Sequence, residues 1–250
     1  MRHLTITSGG SNSSKRRWPH YLVIIALSLS LVGCAACHLF HSGPYRTPET
    51  LPPAKLLDLH VHTAGIGAGD SGCFISKQME SSRKLGIYLK SFGTTREELQ
   101  QKGDAHVVQL ISRQLAESQH VGQAILLAMD GVVDASGDLD KARTEIYVPN
   151  EFIAKETAKT TNLLFGASIN PLRHDALARL DWAATNGARL IKWIPSVMQF
   201  DPADERLTPF YRRMVELKLP LLTHAGQERS FTSAKDELCD PQRLHLPLKL

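Results

Sequence analysis

From Ala54 onward, short apolar runs alternate with segments whose apolar positions recur every three to four residues. Lys55–Val61 reads as a strand, Gln123–Met129 as a buried strand, and Leu163–Ile169, Arg189–Ile194 and Leu219–Thr223 as three more. Between them lie helical patterns. Asp104 stands where it can cap a helix carrying Val108, Ile111 and Leu115 on one face. Pro149-Asn150 opens a helix over Glu151–Lys159. Asp175–Thr185 puts Leu177, Leu180 and Ala184 on one side, and Asp204–Lys218 puts Phe210, Met214 and Leu217 toward a core. Strands that alternate with helices of this length predict a parallel sheet with right-handed crossovers. Thr63–Gly103 is glycine-rich and irregular in pattern. It reads as a long site loop with some helix around Arg96–Gln101.

The first fifty residues follow another pattern. Lys15-Arg16-Arg17 precede an apolar run from Tyr21 to Val32, too short to span a bilayer comfortably. Basic residues, a short apolar core and a small residue at its end make a secretory signal. Residues 34–53 carry Pro44, Pro48, Pro52 and Pro53 without hydrophobic period and read as a tether. His38 and His41 in it read as exposed tether histidines, and Cys37 as a bystander.

Composition adds limits. The 250 residues are 42% apolar and 22% charged, which excludes a mostly disordered chain and a multi-span membrane protein. The net charge of +4 comes from residues 1–33, which hold Arg2, Lys15, Arg16 and Arg17 and no acid. The remaining body is neutral, so nucleic acid is not an expected partner.

Candidate chemistry gathers at strand ends. His60 and His62 lie two apart at the end of the first strand, so both imidazoles point to one face. In a parallel α/β fold that end binds ligands, and two convergent imidazoles are half of a zinc site. Asp58 shares that face by the same alternation, while Leu59 and Val61 pack under the helices. His224 ends the Leu219–Thr223 strand and brings a third imidazole to the same rim. Lys192 sits inside an apolar strand; it is either desolvated and functional or snorkels to the rim. Asp130 and Asn170 end two further strands and either contact substrate or cap the next element. Glu228 is either a general acid or base or a solvated carboxylate. The Gly65–Gly72 loop and Cys73 are expected to shape the pocket.

Two resemblances sharpen this. Leu31-Val32-Gly33-Cys34 resembles the bacterial lipobox. It implies cleavage before Cys34, lipidation of that cysteine, and a chain tethered to an envelope membrane on the periplasmic side. Of the four cysteines, three would remain, so no disulfide framework follows.

Leu57–His62, Val148-Pro149-Asn150, Ser168–Pro171, Gly187–Trp193 and Leu221–Gly226 together resemble the amidohydrolase superfamily, in its amidohydrolase-related branch of TIM-barrel metal-dependent hydrolases and decarboxylases. The resemblance implies a (β/α)8 barrel, incomplete here at about five βα units over residues 54–250. It implies a divalent metal, usually zinc, on His60 and His62, with His224 as the fifth-strand histidine. Lys192 occupies the strand where some branches carry a metal-bridging lysine. The implied chemistry is a metal-activated water attacking a small amide, ester, lactone or related carbonyl compound, or decarboxylation at the same type of site. Lys192, Asp130 and Glu228 are the catalytic candidates. The family's sixth-strand histidine and eighth-strand aspartate have no counterpart, so a truncated and inactive remnant is a second expectation. A non-catalytic metal-binding envelope lipoprotein is a third.

Overall fold

The computed structural model describes residues 55–250. The signal, the tether, Cys34 and Cys37 lie outside the described residues. Among the described residues no helix is long and apolar enough to cross a membrane.

Five parallel strands run in sequence order. Strand β1 (Leu56–His62) pairs with β3 (Val121–Leu127), and β3 pairs with β5 (Leu163–Gly166). A parallel bridge from Ala167 to Ile191 links β5 to β6 (Ile191–Trp193), which pairs with β7 (Leu221–Thr223). The fold is therefore mixed α/β with parallel strands, and no closed barrel is present among the described residues. A short antiparallel ladder joins β2 (Phe74–Ile75) to β4 (Ile146–Tyr147).

The predicted strands appear with shifted ends. The third predicted strand stops at Gly166 rather than Ile169. Ala167 still bridges to Ile191 through its backbone, and from Ser168 on a side chain takes over: Ser168 Oγ accepts from Asp130 N (3.1 Å) and donates to Lys192 O (2.9 Å).

Thr63–Gly103 is not an irregular loop. It holds α1 (Lys77–Glu80), α2 (Arg83–Ser91) and α3 (Arg96–Lys102). Each start is capped by a hydroxyl, from Ser76, Ser82 and Thr95, and Thr95 forms a reciprocal capping box with Glu98. Helix α4 (Ala105–Glu117) follows.

Asp104 precedes α4 but does not cap it with its side chain. The buried carboxylate instead accepts from Ile66 N (3.0 Å), Gly67 N (2.9 Å) and Ser71 Oγ (2.5 Å). A buried charge needs such donors, and the glycine-rich loop supplies them. At Gly65 a side chain would meet Cys73 and Asp104 themselves, so only glycine fits that turn.

The later helices are α5 (Asn150–Thr157), α6 (Ala176–Thr185), α7 (Pro195–Met198) and α8 (Thr208–Glu216). The buried face of α6 is Ala176, Leu180 and Ala183, and Leu177 is exposed, one step round from the expected stripe. The main core lies between strands and helices, where Leu126, Ile153, Leu180 and Trp193 are fully buried. Full burial of such side chains stabilises by roughly 1.5–3 kcal/mol each. The opposite face of the strands carries a smaller apolar group: Ile125, Leu127 and Leu190 with Leu164 and Leu222.

Candidate active site

The site forms where β1, β6 and β7 end, and the path of β1 decides what faces it. Asp58 lies opposite Ala124, but Val61 lies opposite Leu126, so three steps on β1 match two on β3. This is a β-bulge, and it reverses the inside–outside alternation. Below the bulge Leu57 and Leu59 line the concave side; above it His60 and His62 do. Asp58 faces the other way, beside Val61 and Ala124, and its Oδ1 accepts from His60 N at 2.9 Å. Asp58 does not share the histidines' face, and Leu59 does not pack under the helices; Val61 does. Simple alternation missed both because it assumes an unbroken ladder.

Lys192 is placed by its neighbours. Ile191 and Trp193 are buried toward the helices. Trp193 packs against Phe200 with ring centroids 4.7 Å apart, and its Nε1 donates to Ile169 O at 2.7 Å. Alternation then sends Lys192 to the concave side. Only 2% of it is exposed, so it does not snorkel out.

Lys192 Nζ lies 3.0 Å from His60 Nε2, which lies 3.0 Å from His62 Nε2. Burial pushes the Lys192 ammonium down to about 8. Burial, reinforced by the Lys192 charge, lowers His60 and pushes His62 down to about 3. Both imidazoles are therefore neutral near pH 7, the form that offers a lone pair.

His224 follows β7, and its N–H extends the ladder to Trp193 O at 2.9 Å. Its Nε2 is buried without a hydrogen-bond partner, 3.9 Å from Glu228 Oε2. His62 Nδ1 is likewise buried and unpartnered.

These five residues share one cavity of about 350 Å³. Its polar atoms are gathered at the strand ends. Met79, Leu85, Tyr88 and Phe92 from α1, α2 and the α2 C-cap build one apolar wall. Ile75 and Ile146 from the small ladder, with Phe231 from the segment after β7, build the rest. None of these wall residues was singled out from the sequence. The usable signal was the pair of serines, Ser76 and Ser82, each opening a short amphipathic turn. Cys73 and the Gly65–Gly72 loop do not line the cavity. Cys73 is buried, and that burial pushes its thiol up to about 12.

Asp130 is elsewhere. It is buried, and its carboxylate receives Arg173 Nε (2.7 Å), Arg173 Nη2 (2.5 Å), Gly131 N (2.8 Å) and Asn170 N (2.8 Å). Every lone pair is engaged, which is a structural pair rather than a catalytic placement. Asn170 Nδ2 bonds Gly131 O and Met198 O, so it too braces strand ends.

The donor set suits a cation in part. His60 Nε2 and His62 Nε2, 3.0 Å apart, are close enough that both would hold one ion. Among the described residues, no group of three His, Cys, Asp or Glu side chains is placed to hold a metal ion. His60 and His62 thus form a two-nitrogen half-site, with His224 nearby but not closing a third position.

No family model matches the chain, and no curated protein matches it. Among solved structures it is similar to 5-carboxyvanillate decarboxylase from Novosphingobium aromaticivorans with bound manganese and 3-methoxy-4-hydroxy-5-nitrobenzoic acid. That likeness has a TM-score of 0.42 and 17% identity, over 78% of this chain and 56% of that one. It is also similar to the apo form of the Metarhizium anisopliae IDCase, at a TM-score of 0.42 and 12% identity, over 71% of this chain and 52% of that one. The chain spans little more than half the length of these proteins. Likenesses of this size leave its function to be argued from its own residues.

Proposed function

We propose that the cavity is the reaction site of a metal-dependent enzyme of the amidohydrolase type, built on part of a TIM-barrel. It acts on a small amide, ester, lactone or related carbonyl compound, with decarboxylation as the variant chemistry. The observation that carries this is the convergence of two neutral imidazoles beside a buried lysine, at the C-terminal ends of parallel strands. Convergent groups with shifted pKa values in an apolar cavity are where chemistry is expected.

His60 Nε2 and His62 Nε2 would hold the cation, zinc or manganese. When bound, it supplies Lewis acidity, polarising a carbonyl oxygen and lowering the pKa of water. Lys192 Nζ, still mostly protonated at pH 7, holds the substrate's carbonyl or carboxylate oxygen. The Glu228 carboxylate takes a proton from the attacking water, and His224 lies within reach to pass it on. The apolar wall receives the substrate's body and excludes bulk water. The envelope address belongs to the same proposal, with lipid on Cys34; Cys34→Ser should abolish labelling by a lipid analogue.

The test is metal binding followed by turnover. The protein is titrated with Zn²⁺ and with Mn²⁺ in a calorimeter, then screened on esters, lactones, amides and aromatic acids. His60→Ala/His62→Ala should lose both binding and turnover. Metal retained by that double variant would sink the proposal. Binding without any turnover would favour a non-catalytic metal-binding role, the reading suggested by the lack of a third ligand among the described residues.

A further inference from the structure

The segment after β7 supplies part of the cavity's lining and encloses it only in part, His60 being exposed, and its attachments are uneven. At its far end Thr232 Oγ1 donates to Glu145 Oε1 at 2.8 Å, and Ser233 N donates to the same oxygen. Glu145 is buried, so this anchor is firm. At its near end Gly226, with φ of +94°, donates from its N to Cys239 O at 2.8 Å. The stretch between, Gln227–Phe231, carries Glu228, Ser230 and Phe231 into the cavity lining.

The bonds inside that stretch are Ser230 N to Glu228 Oε1 and Arg229 Nη2 to Gln227 Oε1, and Glu228 N reaches Asp236 Oδ1 eight residues on. Among the described residues, the side chain that ties it across to the opposite wall is Lys84. Its Nζ donates to Arg229 O at 2.7 Å and to Ser230 O at 3.3 Å. Lys84 stands in the first turn of α2, the helix that supplies Leu85 and Tyr88 to that wall. One ammonium thus joins the two walls of the cavity.

We propose that Gln227–Phe231 is a gate over the cavity and that Lys84 is its latch, a positioning residue that holds Glu228 and Phe231 in place. A flexible lysine bonding two carbonyls is a clasp that water can replace, so opening is inexpensive. A glycine in the left-handed region at one end and a buried carboxylate anchor at the other confine the movement to the stretch between. The gate's purpose rests on the cavity being the reaction site; its geometry does not.

The test needs no substrate. Hydrogen exchange of Gln227–Phe231 is followed by mass spectrometry in the wild type, Lys84→Met and Lys84→Arg. In parallel, diethyl pyrocarbonate labelling rates of His62 and His224 inside the cavity are compared with those of the more open His106 and His174. Lys84→Met should raise exchange of the segment and labelling of His62 and His224 about fivefold, what one net hydrogen bond is worth. His106, His174 and exchange within α4 should not change. Lys84→Arg, which keeps donors for the two carbonyls, should restore most of the protection. Rates within twofold of wild type in Lys84→Met, or a uniform rise that includes α4, would overturn the latch. Loss of Mn²⁺ binding in all three proteins would count against the metal site alone, because neither labelling readout involves metal.

Discussion

Lys192 gives the sharpest test of the site, because its burial predicts a stability cost that a functional lysine tolerates and a structural one does not. Only 2% of the residue is exposed, and burial lowers its pKa from 10.5 to about 8. That shift corresponds to about 3 kcal/mol of penalty for holding the charged form in the folded state. The unfolded lysine binds its proton more tightly, so between pH 8 and 10.5 the unfolded state carries more protons, and stability rises with pH across that window. Below pH 8 the whole penalty is present; above 10.5 it is gone. Lys192→Met keeps the length and apolar stem but removes the charge. It also removes the bond to His60 Nε2, worth about 1 kcal/mol. The net expectation at pH 7 is a gain of roughly 2 kcal/mol, or about 4–8 °C in Tm for a domain of this size. Thermal unfolding followed by circular dichroism at pH 7, 8, 9 and 10 reads this directly. Other lysines and tyrosines titrate in the same range, so the wild-type minus variant difference is the quantity to follow. It should shrink steadily from pH 8 upward. A variant less stable than wild type at pH 7, or two parallel curves, would refute the reasoning.

Three further outcomes are expected. His62, held neutral with its pKa pushed to about 3, contributes stability that is complete above pH 6.5 and is lost as pH falls toward 3, at no more than about 1.4 kcal/mol per pH unit; His62→Asn should flatten the acid limb of urea denaturation, and an unchanged limb would contradict the assignment. Arg173→Met strands the buried Asp130 carboxylate and should cost about 3–5 kcal/mol, while Asp130→Asn/Arg173→Met recovers much of that loss in a double-mutant cycle; independent, additive costs would show that the two do not act as a pair. Asp58→Ala removes the acceptor that fixes the bulge through His60 N and should cost about 1 kcal/mol while weakening Zn²⁺ binding, whereas Asp58→Asn should behave nearly as wild type; equal effects of the two variants would remove the bulge from the account.

The order of strands and helices was legible because each burial pattern has its own period. Gln123, Ile125 and Leu127 face one way and Ala124 and Leu126 the other, and the parallel pairing follows from the helices between strands. His60, His62, His224 and Lys192 were legible for a related reason: polar residues that end or interrupt apolar strands lie at a rim. What escaped were features set by contacts distant in sequence. Asp104 looks like a cap for α4, yet its donors come from a loop more than thirty residues earlier. Asp130 looks like a rim carboxylate, yet Arg173 on the following unit claims it. Lys84 is an unremarked helix lysine until residues 145 positions away come to rest on it. The helix expected around Arg96–Gln101 is α3, but α1 and α2 before it were short enough that glycine masked their serine caps.

The bulge in β1 explains why one concave face carries two chemistries. Without it, the alternation that turns Leu57 and Leu59 inward would turn Val61 and Thr63 inward and send the histidines out under the helices. One extra residue lets the lower rows be apolar, matching Ile125, Leu164 and Leu222, while the top row is nitrogen. Stability alone gives no reason for this arrangement. His62 Nδ1 and His224 Nε2 are buried without partners, and Lys192 is buried at a cost. A core shaped only to fold would satisfy or replace such groups, since each unsatisfied buried polar atom costs about 1–3 kcal/mol. Among the described residues, Ser196 Oγ and Ser233 Oγ are also buried without partners, but His62, Thr63, His224 and Lys192 line one cavity, at the end of a parallel sheet where α/β folds take their ligands. The same strand that misleads a simple reading of alternation is therefore the one that brings His60 and His62 to the proposed site.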